Sequence, residues 1–247
     1  MIGAAISRDG SFQSAWHLNG QTGSSGSLAK ARKRLPESIW QGLDHWICDQ
    51  VFEKHDPKYL WHGHRVIGLD GTCNSMSDTP ELIEYFGRAG SKHGPSRFPI
   101  ARNVIAFNLN TLITVDHQMG PYRTSERALA SQLIPRLRAS DVIVDDRGFM
   151  GIPHYFQCFQ QDLHIVNRVS SCMRIDRLEV VQSFNSKDRI VKMSLPKCYL
   201  KQNPEWPEYL LLRLVQVTAP IRGPRETFWL VTSLLDPQIY PASEIRM

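Results

Sequence analysis

Asp141–Phe149 reads D-V-I-V-D-D-R-G-F. Val142, Ile143 and Val144 form an unbroken β-branched run that passes straight into two acids, an arginine and a glycine. Such a run, closed by a turn signal, predicts a strand buried on both faces of a sheet. Its last residues then stand at the carboxyl edge, where open α/β sheets place their ligands. A carboxylate held there costs free energy unless a cation or hydrogen-bond donors compensate it. Alternation puts Asp146 on the face of Val142 and Val144, and Asp145 on the other. The pattern alone does not choose between the two acids.

Val66–Thr72, V-I-G-L-D-G-T, repeats the design: a short apolar strand that ends in an acid, Asp70, and then a glycine. Two such strands imply two carboxylates brought to one place by the fold. Their separation of 76 positions leaves room for a hairpin and a helix.

The totals set the frame. With 247 residues, 42% of them hydrophobic, the chain can build a sizeable core. The net charge of +5 favours a polyanionic partner without demanding one; a basic soluble enzyme fits equally well. Five cysteines, an odd number with no C-x-x-C, argue against a disulfide framework and for a reducing cytoplasm. Arg8 and Asp9 interrupt any apolar signal segment, and no run approaches the ~18 residues of a membrane span.

Residues 1–27, rich in Gly, Ser, Asn and Gln, read as loop or disordered. Residues 28–58 read as a helical hairpin: Ser27 caps a basic helix, Leu28–Arg34, and Ile39, Leu43, Trp46, Ile47 and Val51 recur at helical spacing after Pro36. The first strand then runs to Asp70. Residues 73–99 carry Gly, Ser and Pro, with one helical turn at Glu81–Gly87. Ala101–Phe107 and Leu112–Val115 flank Asn108-Leu109-Asn110 as a hairpin. Thr124 or Ser125 caps a helix with Leu129, Leu133 and Leu137 on one face, shortened or kinked by Pro135. A helix near Pro153–Gln161 and a strand, Leu163–Val166, follow the strand at 142–144. From about 168 to 226 the chain reads as β-rich and free of helices, with a hairpin at Asn185–Asp188. Tyr240–Met247 looks like the opening of a helix. Strand, hairpin, helix, strand, helix, strand resembles the order of a ribonuclease H-like core, a mixed α/β sheet flanked by helices, here with a β-rich insertion.

Paired aspartates suit phosphodiester chemistry. That chemistry needs an activated hydroxyl, a stabilised leaving oxygen and neutralised charge, and two Mg²⁺ ions about 3.5–4 Å apart supply all three. Mg²⁺ takes carboxylate oxygens together with water and phosphate. A blander reading stands beside this one: an Asp after a strand is commonly a turn former or helix cap. His62-Gly63-His64 with Asp70 offers a weaker zinc reading, since two histidines near a strand start are more often surface residues.

Four stretches together give the chain a family likeness: G-L-D-G-T at 68–72 with D-T-P-E at 78–81, G-P-Y-R-T-S-E-R at 120–127, V-D-D-R-G-F at 144–149, and W-L-V-T-S-L-L-D with Y-P-A-S-E-I at 229–245. From about residue 28 to the end the chain resembles the DDE transposases of bacterial insertion sequences, in the group with a β-rich insertion in a ribonuclease H-like catalytic domain. The resemblance implies that residues 59–247 are that domain, with Asp70 as the first metal-binding acid. It implies Asp146, before Arg-Gly-Phe, as the second, and Mg²⁺ or Mn²⁺ as cofactor. It implies double-stranded DNA, at transposon ends and in the target, as the partner, and Arg123, Arg127 and Arg147 as phosphate contacts. A second copy or a full-length transposase is a further expected partner, and a bacterial cytoplasm, at the nucleoid, the expected location. The third acid of the group is a Glu in a Y-x₂-R-x₃-E-x₆-K motif on a helix. Glu244 does not match its position, and Glu205, Glu208 and Glu226 lie in the insertion. The chain therefore reads as a C-terminally truncated transposase, with the N-terminal domain reduced to a helical remnant. It is expected to be impaired in strand cleavage and transfer, or else to be a non-catalytic DNA-binding or transposase-inhibiting protein.

Overall fold

The computed structural model describes residues 25–36, 38, 39, 42, 43, 46, 47, 50, 59–92, 94–220 and 225–245. They fall in two compact units, Met1–Gln50 and Val51–Met247. In the first, helix α1 spans Ser25–Arg34, so it begins three residues before Leu28, inside the stretch expected to be loop. Ala, Lys and Arg are strong helix formers, and serine is well tolerated in a first turn. The described residues between 38 and 50 are helical; residues 1–24 and 51–58, with the expectations placed on them, lie outside the described residues.

The second unit runs β1 (Val66–Ser75), α2 (Pro80–Phe86), β2 (Arg88–Ser91), β3 (Gly94–Asn108), β4 (Thr114–Pro121), α3 (Glu126–Leu133), β5 (Val142–Asp145), α4 (Ile152–Gln160), β6 (His164–Arg168), β7 (Glu179–Asn185), β8 (Asp188–Ser194), α5 (Lys197–Gln202), β9 (Tyr209–Pro220), β10 (Arg225–Thr232) and α6 (Ala242–Ile245). Among the described residues ten strands join in one mixed, mostly antiparallel sheet, ordered β2-β3-β1-β5-β6-β10-β9-β8-β7, with β4 on β3. β1 and β5 run parallel, as do β5 and β6; β3, β4 and β10 add antiparallel.

The parallel centre is pinned at its lower end. Arg65 Nε and Nη2 donate to Asp141 Oδ1 and Oδ2 at 2.7 and 2.5 Å, and both side chains are buried. The pair stands immediately before the first paired residues, Val66 and Val142, and Val142 N donates to Arg65 O at 2.9 Å. Alternation then splits the apolar run. Ile143 joins Ile67, Leu69 and Ile165 under α3 and α4, while Val142 joins Val166, Val217, Leu230 and Ile245 on the opposite face. Ser125 caps α3, accepting from Ala128 N at 3.2 Å, and the α-helix stops at Leu133, two residues before Pro135, where a 3₁₀ turn takes over.

Two expectations change. First, Asp70-Gly71 does not end a strand. β1 continues to Ser75, paired with β3 from Asp70↔Ile105 to Ser75↔Ile100. The glycines here serve clearance rather than turning. A Cβ at Gly68 would stand 2.8 Å from Phe107 Cζ, and one at Gly71 would stand 2.5 Å from Glu126 Cδ. Cross-strand packing overrides local turn preference. Second, the segment after 168 is not free of helices: it holds the 3₁₀ turn Ile175–Arg177 and α5, beyond which Trp206 stacks on Phe156 of α4 with ring centroids 3.9 Å apart. The strands of this segment join the same sheet, since β10 pairs with β6 and β9 with β10. Among the described residues no helix is long and apolar enough to cross a membrane.

Asp141→Ala would take from Arg65 its paired carboxylate in a buried setting, a change that costs about 3–5 kcal/mol. Urea denaturation should show a loss of that size, whereas alanine at the exposed Asp176, whose ion pair with Arg174 lies in solvent, should leave the midpoint nearly unchanged.

Candidate active site

The last paired residues of the central parallel strands are Gly68 and Val144. Asp70 and Asp146 each lie two residues further along, and each five residues past its member of the Arg65–Asp141 pair. Carried past the end of the β1–β5 ladder, this register sets the two acids level, Asp70 within β1 and Asp146 one residue beyond β5. Asp70 shares the face of Val66 and Gly68 by alternation, and both acids are exposed.

The D-R-G-F sequence makes the turn that presents Asp146. Asp146 Oδ1 accepts the Gly148 N–H at 2.7 Å, and a Cβ at Gly148 would stand 2.8 Å from that oxygen. Phe149, 2% exposed, anchors the turn in the core beneath α4, and its N–H donates to Asp146 O at 3.2 Å.

Asp145 is a different kind of residue. It is buried, and both its carboxylate oxygens are engaged, Oδ2 with His154 Nε2 at 2.7 Å and Oδ1 with Asn167 Nδ2. Burial pushes its carboxyl above the ordinary value, against the opposing pull of His154 and Asn167. Tyr155 donates to Asn167 Oδ1 at 3.1 Å, and burial raises that hydroxyl and the nearby Cys158 thiol as well. His154, Tyr155 and Asn167 carried no weight in the sequence. The available signals were an asparagine closing the apolar run of β6 and a histidine on the inner face of an aromatic helix.

The arginines are dispersed. Arg147 borders a cleft of about 280 Å³ with Arg168, Glu226 and Trp229. Arg127 borders another, of about 350 Å³, where α3 meets the start of α4, and Arg123 is exposed in the turn before α3. An apolar groove of about 410 Å³ lies on the face of Val66, Val142, Val144 and Leu230 and is bordered by Glu244 and Ile245.

The zinc reading loses its ligands. His64 is engaged through both ring nitrogens, with Ser140 O at 2.7 Å and the Tyr240 hydroxyl at 2.8 Å. His62 instead meets Glu244 at 2.6 Å. Glu226 pairs with Arg168 at 2.5 Å, so neither Glu226 nor Glu244 joins Asp70 and Asp146. Among the described residues no group of three His, Cys, Asp or Glu could hold a metal ion. A pair of exposed aspartates does suit Mg²⁺ or Mn²⁺: both present hard oxygens, and Mg²⁺ commonly binds through one or two carboxylates, waters and substrate phosphate.

No protein-family model matches the chain. Over 153 residues it is 29% identical to the Escherichia coli K12 protein named "Putative transposase InsZ", covering 60% of this chain and 47% of that one. Over 198 residues it is 23% identical to the Escherichia coli K12 transposase InsG for insertion sequence element IS4, covering 79% and 43%. Both of these relatives carry the name transposase. The chain spans less than half the length of each. A piggyBac transposase synaptic complex with hairpin DNA matches 70% of this chain and 34% of its own at 17% identity, with a TM-score of 0.41, too slight a likeness to bear on the fold.

The two neighbouring acids should respond oppositely to substitution. Asp146→Asn keeps the exposed Oδ1 acceptor and should shift stability by less than about 0.5 kcal/mol. Asp145→Ala strips buried donors of their acceptor and should cost about 1–3 kcal/mol for each group left unsatisfied. Denaturant midpoints of the two variants measure the difference.

Proposed function

We propose that residues 59–247 form the greater part of a transposase catalytic domain of the DDE type, with a ribonuclease H-like core, acting on double-stranded DNA at the ends of an insertion element. The observation that carries this reading is the level placing of Asp70 and Asp146 on adjacent parallel strands, in a chain whose relatives are transposases. The strand order β4-β3-β1-β5-β6, an antiparallel meander of β1, β3 and β4 with β5 and β6 parallel to β1, supports the core type. The burial of Asp145 supports Asp146 as the second acid.

Asp70 and Asp146 would hold Mg²⁺ or Mn²⁺. When bound, such ions supply charge neutralisation on the scissile phosphate and an activated hydroxyl. Asp70 is held by its pairing with β3, and Asp146 is turned outward by Gly148. Arg147, beside Asp146, and Arg123 and Arg127 at the start of α3, offer cations to the DNA backbone. A third acid would have to come from outside the described residues, from further polypeptide or from a partner such as a second copy or a longer transposase. The alternative role is that of a non-catalytic DNA-binding or transposase-inhibiting protein. Either role belongs to a bacterial cytoplasm, at the nucleoid.

A strand-transfer assay on paired terminal repeats tests the proposal. With Mn²⁺ or Mg²⁺ the chain alone should give little or no joined product. Any nicking should disappear in EDTA and in Asp70→Ala and Asp146→Ala, while a gel shift of the same DNA persists. Activity in excess EDTA would remove the metal mechanism. DNA binding without activity in any form would favour the inhibitor reading, and abundant joined product would show the chain to be catalytically complete.

A further inference from the structure

The two acids are not held in the same way. Asp70 lies within β1, with β3 paired through it and beyond it. Asp146 lies one residue past the end of β5, where the ladder has stopped. Something other than strand pairing must fix its direction.

The turn supplies part of that support, through the Gly148 N–H on its carboxylate and the Phe149 N–H on its carbonyl; the part that comes from the sheet is a buried amide. Asn167, wholly buried on β6, is the Cα partner of Asp145. Its Nδ2 donates to Asp146 O at 2.8 Å and also to the Asp145 carboxylate. Its Oδ1 accepts from the Tyr155 hydroxyl at 3.1 Å. An amide has donors on one atom and lone pairs on the other. Turned over, this one would set its oxygen against a carboxylate and a carbonyl, and its NH₂ against a hydroxyl that donates to it. The three partners therefore admit one orientation. The site is buried, where each such interaction is stronger and each mismatch costlier than in water.

We propose that Asn167 is the positioning residue of the acid pair: its amide fixes the Asp146 carbonyl, and so the direction of the Asp146 carboxylate, while Asp145, Tyr155 and His154 fix the amide. The inference rests on the reading of Asp70 and Asp146 as a cation-binding pair. Asp145 then serves from behind, as part of the mount, rather than as a ligand. Outer-shell partners of this kind change metal affinity when they are removed, by roughly 10–100-fold.

Mn²⁺ titration followed by electron paramagnetic resonance, on the full chain without DNA, tests this without any measurement of activity. Asn167→Leu and Asn167→Asp should each weaken Mn²⁺ binding roughly tenfold or more. Tyr155→Phe, which removes one hydroxyl and leaves the core filled, should give a smaller loss in the same direction, and it carries the test alone if the Asn167 variants do not fold. Asp70→Asn and Asp146→Asn mark the site itself. Parental affinity in folded Asn167→Leu or Tyr155→Phe, with binding lost in Asp146→Asn, would overturn the positioning role and leave the acid pair standing. Parental affinity in Asp70→Asn and Asp146→Asn, or no Mn²⁺ binding by the parent chain, would remove the acid pair and this inference together.

Discussion

The ion pair between Arg65 and Asp141 is the constraint on which the rest of the molecule depends. Two charged groups are out of water there, and the pair is tolerable because the guanidinium meets the carboxylate through two nitrogens at 2.7 and 2.5 Å. Such a pair adds little net stability compared with an apolar replacement; its force lies in what happens if one partner is misplaced. A slip of one residue between β1 and β5 would break both bonds and send every side chain of the slipped strand to the opposite face. Asp145 would then stand level with Asp70, and Asp146 would be out of step. A contact at the lower edge of the sheet thus sets the geometry five residues away at the upper edge.

At that upper edge, two adjacent residues of one type have taken different work. Asp146 is exposed on a tight turn, and Asp145 is sealed beneath it with His154 and Asn167. The chemistry of the side chain is the same in both, and the environment makes the difference. Desolvation works against charge on Asp145, and its hydrogen bonds oppose that effect. Asp146 faces solvent, where a carboxylate is free to meet a cation or a phosphate-bound ion.

The parts of this arrangement legible in the sequence were those with local causes. The β-branched run at 142–144, the serine cap of α3, its early end before Pro135 and the hairpin at 108–110 all follow from short-range rules. The parts that were not legible have partners far along the chain. Asp70-Gly71 looked like a turn because glycine usually marks one. It is mid-strand because β3 pairs with it, Gly71 against Val104, 33 positions later. Asp141 carried no reading of its own, and its role emerges only with Arg65, 76 positions earlier. Asn167 is one polar residue after an apolar strand. Nothing in its own neighbourhood reveals that it bridges Asp145, Asp146 and Tyr155.

The continuous sheet also carries a cost in the order of assembly. Hairpins β3–β4, β7–β8 and β9–β10 close over short loops and can form as soon as their residues exist. The joints between them cannot: β1 must wait for β5, and the outer edge of β6 must wait for β10, since Thr232 pairs with Val166. During synthesis on the ribosome the apolar strand Ile165–Val166 therefore emerges with an unsatisfied backbone edge long before its neighbour does. Non-local pairings of this kind fold slowly and leave strand edges open to foreign chains meanwhile. In such a molecule the half-made protein is the vulnerable species, and chaperone demand would be set by the interval between two strands rather than by the stability of the finished sheet.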